Sequence, residues 1–197
     1  MTGPAVPAPP IAPVPPPHFI SFSAQVNDNT TQQLVAAMNQ CRLQGAQEVH
    51  LLISTPGGSV MNGITLYNVL KGMPFKLVTH NIGNIDSIGN AIFLAGTERY
   101  ACGHSTFMFH GVSSGIQGLS ALDARSLRER LQSVVADEKR IGSIIEQRTQ
   151  LTHREVLALF REARTKDASY ALANGLINAI QDVNIPAGSP MLTLVVQ

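Results

Sequence analysis

Ser87 and His110 are the side chains in this sequence best suited to nucleophilic chemistry. A serine hydroxyl is a poor nucleophile until a neighbouring base takes its proton, so an imidazole must be brought to it. Ser87 lies in the turn Gly83-Asn84-Ile85-Asp86-Ser87-Ile88-Gly89. His110 ends the apolar run Thr106-Phe107-Met108-Phe109 and precedes Gly111. A second glycine turn, Ser54-Thr55-Pro56-Gly57-Gly58-Ser59, lies upstream. Both turns lead from a strand into a helix, where free N–H groups and the helix dipole favour negative charge. Glycine also lets a substrate carbonyl approach the main chain closely. Two such turns side by side can form an oxyanion hole, in which each donor is worth about 3 kcal/mol of barrier. Taken singly, each feature is more simply a plain tight turn or a structural histidine. Asp86 reads as a turn residue, because adjacent side chains diverge.

The elements that must position these groups alternate between strand and helix. Phe19–Phe22, His50–Ile53, Phe75–Thr79, Arg99–Ala101, Thr106–Phe109 and Leu192–Val196 read as strands, rich in aromatic and β-branched residues. Asn27–Thr30 offers an N-cap, and Leu34, Val35, Met38 and Cys41 follow at helical spacing up to Gly45. Val60–Leu70, Ser87–Leu94, Thr152–Glu162 and Ala168–Asn174 read as further helices. Gly83 marks a turn. The longest helix is expected over Leu119–Arg148, with apolar positions at Leu127, Leu131, Val134, Ile141 and Ile145. Its charged run Asp137-Glu138-Lys139-Arg140 reads as a solvated face. Strands alternating with helices predict an α/β domain with largely parallel pairing.

Composition narrows the function classes. The chain has 197 residues and a formal charge of +1, and only 14% of it is charged. That length suits one domain with an adequate core. Near-neutrality speaks against a nucleic-acid binder, which would carry a basic stripe. A weakly charged surface suggests subunit contacts. No apolar run is long enough for a membrane span. Two cysteines, Cys41 and Cys102, make no disulfide framework and fit a reducing, cytoplasmic setting. Eight of the twelve prolines fall in residues 1–17. That segment is expected to be an extended, disordered arm, with residues 18–197 forming the folded domain.

Pro56-Gly57-Gly58-Ser59, Gly83-x-x-x-Ser87-x-Gly89 and Met108-Phe109-His110 stand in an order and spacing that resembles the Clp protease proteolytic subunit family. Phe19–Val26 resembles that family's first strand and following turn, and Ala168-x-x-Ala171-x-x-x-Gly175-Leu176-Ile177 resembles its final stretch. The resemblance covers roughly residues 19 to 182. It implies a crotonase-like spiral of ββα units with a protruding helical handle starting near Leu119. It implies Ser87 as nucleophile, His110 as general base, and the amides of Gly58 and Ile88 as oxyanion donors. It implies a serine endopeptidase of peptides and unfolded proteins, with no cofactor or metal. Subunits would form homo-oligomeric rings around a chamber, fed by an AAA+ ATPase unfoldase.

Two departures accompany the resemblance. The family's third triad member is an Asp, and the matching position here is Ala163. Glu162 is the preferred substitute, with Asp167 as the alternative. The other outcomes are a Ser–His dyad or a catalytically silent ring subunit that assembles with an active partner. The proline-rich arm replaces the family's gating loop, which puts ATPase coupling in question.

Other readings are weaker. Crotonase-type acyl-CoA chemistry shares the paired amides but needs a carboxylate acid/base in place of the Ser–His pair. Lys166 suggests a Ser–Lys dyad, which the His110 register disfavours. Cys102-x-His104 with His110 fits no closed zinc pattern.

Overall fold

The computed structural model describes residues 15–113 and 123–194. The arm expected over residues 1–17 therefore falls, except for its last three residues, outside the described residues. In chain order the elements are β1 (His18–Ser23), α1 (Asp28–Leu43), β2 (Glu48–Thr55), α2 (Val60–Lys71), β3 (Lys76–Asp86), α3 (Gly89–Phe93) and β4 (Glu98–Ala101). Then follow β5 (Thr106–Met108), α4 (Ala124–Arg148), α5 (His153–Glu162), β6 (Thr165–Asp167), α6 (Ala168–Ala173), β7 (Ala179–Ile180) and β8 (Met191–Thr193).

The strands form one sheet in the order β6-β5-β3-β2-β1-β8, with β4 joined to β3 and β7. All pairs are parallel except β5 with β6. The expected α/β class with mostly parallel pairing is what the chain adopts. Strand alternation sends Ile20 and Phe22 of β1 into the core with Leu51, Ile53, Leu34, Met38, Leu66 and Leu70. Each such side chain contributes about 1.5–3 kcal/mol by leaving water. On the same sheet Phe19, His50, His80 and Tyr100 stack in a row, with ring centroids 4.7, 5.1 and 5.4 Å apart in turn.

Helix starts follow local chemistry. Asn27 and Thr30 form a reciprocal capping box at α1, Ser59 caps α2, Asp123 caps α4, Thr152 and Glu155 cap α5, and Asp167 caps α6. The long helix begins at Ala124, after its Asp123 cap; Leu119 lies outside the described residues. Its second half is packed, with Ile141, Ile144 and Ile145 buried, while Leu127, Leu131 and Val135 of its first half are 49%, 64% and 54% exposed. The far end of α4 is tied down by two arginines. Arg99, buried, donates to the carbonyls of Leu176, Gly96, Arg148 and Gly175. Arg148 donates to those of Leu94 and Gly96. Burial, and then the charge of Arg148, lower the Arg99 pKa to about 10.

β3 does not turn at Gly83 as expected. It runs through to Asp86 and changes partner on the way: Val78–Asn81 pair with β4, and Asn84–Asp86 pair with β5. Ser54 Oγ fits where a Cβ on Gly83 would stand, so this glycine serves close packing inside a strand.

Candidate active site

The fork in β3 creates the site. Asp86 is in register with Met108, so the residues just beyond the ends of β3 and β5 emerge side by side. The Ser87 N–H continues the ladder to the Met108 carbonyl at 2.8 Å. Ser87 then takes φ 57, in the left-handed region that a side chain enters at a cost of about 1–2 kcal/mol. That reversal throws the serine out of the strand before α3 begins. Asn90, fully buried, holds the turn: its Nδ2 donates to the carbonyls of Ser87 (3.0 Å), Met108 (2.9 Å) and Ile85 (3.4 Å). Asn90 thus fastens the serine turn to the histidine strand.

The glycine turn after β2 closes against the same place. A register shift between Ile53 and Thr55 sets Thr55 opposite Ile85. The Thr55 hydroxyl donates to the Ala24 carbonyl at 2.6 Å and accepts the Gly57 N–H at 3.1 Å. Gly57 lies against the serine: a Cβ there would stand 2.8 Å from Ser87 Cβ. Gly58, at φ 146, bridges to Val26, and a Cβ on it would collide with the Val26 carbonyl oxygen. The bonds of this bridge run from Val26 N–H to Gly57 O and from Ser59 N–H to Val26 O, both 2.8 Å. They leave the Gly58 N–H outside the bridge. Neither the Gly58 nor the Ile88 amide has a turn or loop acceptor among the described residues.

Ser87, His110 and Gly58 line one cavity of about 80 Å³, together with Val60, Phe109, Val112, Ser113, Ile141 and Phe160. Ser87 and His110 are both half-buried. The His110 Nδ1 lies 2.6 Å from the Gly111 carbonyl oxygen. A carbonyl can only accept, so Nδ1 carries the proton and Nε2 of the neutral ring is left as a base. Among the described residues no hydrogen bond joins Ser87 to His110. A hydroxyl, a correctly protonated imidazole and a glycine turn with an uncommitted amide can together carry out acyl transfer through a tetrahedral oxyanion.

The carboxylates expected to orient His110 are engaged elsewhere. Glu162 Oε2 accepts from Lys166 Nζ at 3.0 Å at the exposed end of α5, and this bond with the Lys166 charge holds its pKa below the usual carboxylate value. Asp167 Oδ1 accepts the Tyr170 N–H at 2.7 Å as the cap of α6. The physical reason is local: α5 ends at Ala163 in a left-handed cap with φ 49, and its last turn directs Glu162 to its i+4 cation. Lys166, paired there and lying over the Tyr170 ring, is likewise no partner for Ser87. Asp86 is not the turn residue expected: it is the last residue of β3, paired with Met108, and its side chain accepts from Asn84 Nδ2 at 2.8 Å. No cluster of three or more metal-ligating side chains occurs among the described residues.

Sequence reasoning missed two residues here. Asn90 is a polar side chain within the apolar run Ile88–Leu94, which was a usable signal. Glu138 lies in a run whose charges read as a solvated face, but its Oε1 accepts the Val112 N–H at 3.0 Å. Its spacing from Val134, Ile141 and Ile145 puts it on the packed side of α4.

A parallel-sheet α/β domain with a serine and a histidine lining one cavity beside a glycine turn has the parts a serine-type hydrolase needs. Comparison with known proteins makes the class specific. The Clp protease family model matches residues 17–184, and the chain belongs to that family. Its crotonase-like fold and ClpP-like serine-type endopeptidase character follow from that membership. The chain is similar to ATP-dependent Clp protease proteolytic subunit 1 of Corynebacterium jeikeium, 32% identical over 106 residues, covering 52% of this chain and 56% of the relative. It is also similar to proteolytic subunit 2 of Corynebacterium efficiens, 27% identical over 165 residues, covering 82% of this chain and 81% of the relative. Proteolytic subunit 1 of Leifsonia xyli is 26% identical over 167 residues, 83% of each chain.

Proposed function

We propose that this chain cleaves peptides and unfolded proteins by an acyl-enzyme route, with Ser87 as nucleophile and His110 as base. The observation that carries this reading is the meeting of Ser87, His110 and Gly58 on one cavity. His110 Nε2 takes the Ser87 hydroxyl proton as Oγ bonds to the scissile carbonyl carbon. The Gly58 and Ile88 amides receive the oxyanion. The imidazolium then gives its proton to the leaving amine, and water, deprotonated by the same nitrogen, hydrolyses the ester. An extended substrate pairs with the main chain after His110, where Val112 and Ser113 line the cavity; such strand addition tolerates many sequences.

The assembly reading is a homo-oligomeric ring in the cytoplasm, served by an AAA+ ATPase. The relatives' name, ATP-dependent Clp protease proteolytic subunit, supports it. So do the exposed Leu127, Leu131 and Val135 along one side of α4, which a neighbouring subunit would cover. Both cysteines are free, as a reducing compartment requires.

A second reading, a silent ring subunit, is favoured by one observation: among the described residues no carboxylate bonds to His110 Nδ1, which bonds to the Gly111 carbonyl instead. A fluorophosphonate probe separates the two. The active reading expects covalent labelling of the purified chain that Ser87→Ala abolishes and His110→Ala strongly slows. An unlabelled wild-type chain in its assembled form supports the silent subunit. Labelling that persists in Ser87→Ala removes Ser87 from its role.

A further inference from the structure

The family position for an orienting carboxylate is Ala163, and neither Glu162 nor Asp167 takes its place, yet His110 is held in a defined tautomer. The Gly111 carbonyl does this at 2.6 Å, so what fixes the Gly111–Val112 backbone fixes the imidazole. Two groups fix it. The Gly111 N–H donates to the Phe160 carbonyl of α5 at 3.1 Å. The Val112 N–H donates to Glu138 Oε1 of α4 at 3.0 Å. Glu138 comes close against Gly111: a Cβ there would stand 2.6 Å from the same Oε1, so any larger residue would make the carboxylate shift. The Glu138 carboxylate lines two grooves of the surface. Lys139, Glu146 and His153 share one groove with it and Arg161 another, but no ion pair engages Glu138 among the described residues. Its hydrogen bond goes to the backbone beside the histidine.

We propose that Glu138 is a positioning residue for His110, acting from the long helix through the Gly111–Val112 backbone and replacing the orienting function that Ala163 cannot supply. The carboxylate oxygen acts here as an acceptor for the Val112 N–H. It holds the two peptide units that present the Gly111 oxygen to Nδ1. Packed Ile141, one turn along α4, lines the Ser87 cavity itself, so the helix meets the site at two levels. Movement of α4 would therefore reach His110 directly. The proposal rests on the Ser87–His110 reading.

The test is the rate of fluorophosphonate reaction with Ser87, per folded site of the assembled full chain, followed from pH 5 to 9. Glu138→Ala is expected to slow it about tenfold or more. Glu138→Gln, whose amide oxygen can accept the same Val112 N–H, is expected to stay within about threefold of wild type with an unchanged pH midpoint. Glu138→Met, which keeps the stem without the acceptor, should match Glu138→Ala and serves if that variant does not fold. A Glu138→Ala rate equal to wild type overturns the proposal. So does a Glu138→Gln rate as low as Glu138→Ala, since the charge and not the acceptor would then be needed. A variant that raises KM for a peptide but leaves the small probe's rate unchanged also overturns it, since Glu138 would then serve only the substrate strand. A wild-type chain that is not labelled at all fails the Ser87 reading first and is distinguishable from these outcomes.

Discussion

The Ser87 amide donates to the Met108 carbonyl at 2.8 Å, two residues before His110. This one bond extends the β3–β5 ladder past its last paired residues and sets the spacing between hydroxyl and imidazole. The site is thus a property of sheet register. The serine turn, the histidine tip and the glycine turn are each anchored to a different parallel strand, β3, β5 and β2, and parallel strands present their C-terminal ends on one edge.

Asn90 should prove more important than its size suggests. It is the sole side chain found to bridge the Ser87 and Met108 carbonyls among the described residues. Its own Oδ1 is buried without a hydrogen-bond partner among the described residues, so asparagine is held here for its donor. Asn90→Ala is expected to cost about 1–3 kcal/mol, because carbonyls lose a donor they cannot replace with water. Asn90→Asp, nearly the same shape, is expected to be worse, since a carboxylate would face three acceptors. Chemical denaturation of both variants checks the order; an Asp variant as stable as wild type removes the bridge from the argument.

Gly58→Ala tests the oxyanion role separately from the nucleophile. At φ 146, with the Val26 carbonyl where a Cβ would go, an alanine must displace the turn. The Gly58 amide would move with it, and loss of one oxyanion donor lowers the rate by roughly a hundredfold or more. The prediction is a collapse of peptide hydrolysis that exceeds any fall in folded fraction measured by circular dichroism. Retained activity would mean that another amide receives the charge.

Ser87 and His110 stand out in the sequence because each sits at a strand end or beside a glycine, where local chemistry is written in adjacent residues; the Gly58 and Ile88 amides come only from the family resemblance, and of these four residues Ser87, His110 and Gly58 line one cavity. The strands and helices that carry them were legible for the same reason, through period and caps. What was not legible depended on partners distant in sequence. Gly83 has every mark of a turn, yet it lies within β3 because Ser54 fills the space beside it and β5 pairs beyond it. β6 and β7, three and two residues long, exist only through pairing with β5 and β4. Glu162 could be placed near His110 on paper, because a one-residue offset in sequence says nothing about direction at a helix end. Glu138 was hidden in a charged run whose neighbours do face solvent.

Ala163 offers a stability gain. It ends α5 at φ 49, where an L side chain is strained and glycine is preferred. Ala163→Gly is expected to raise the unfolding free energy by up to about 1 kcal/mol, since the strain relieved exceeds the extra freedom of the unfolded chain. A thermal melt of wild type against variant reads this directly, and a lower melting temperature for the variant would show that the Ala163 methyl is packed rather than strained.

His80 should make the fold acid-sensitive. It is 4% exposed, stacks on His50 and Tyr100, and shares a 2.9 Å contact from its Nε2 to His50 Nδ1, while its Nδ1 has no hydrogen-bond partner among the described residues. Burial first, and then the proximity of His50, lower its pKa from the ordinary 6.5 to about 4. The groups facing it are His50, with Glu48 bonded behind at 2.7 Å, and Tyr100, so among the described residues no carboxylate bonds to His80 to stabilise its charge. Above pH 6.5 both folded and unfolded chains keep His80 neutral, and it adds no pH dependence. Between 6.5 and about 4 the unfolded chain takes up the proton and the folded chain does not, so stability falls as pH falls through that window. The full loss is on the order of 3 kcal/mol. His80→Phe keeps a ring in the stack and removes the titration. Denaturant unfolding at pH 7.5 and pH 5 should therefore show a smaller acid loss in the variant than in wild type. Parallel losses in the two proteins would place the acid sensitivity in other groups.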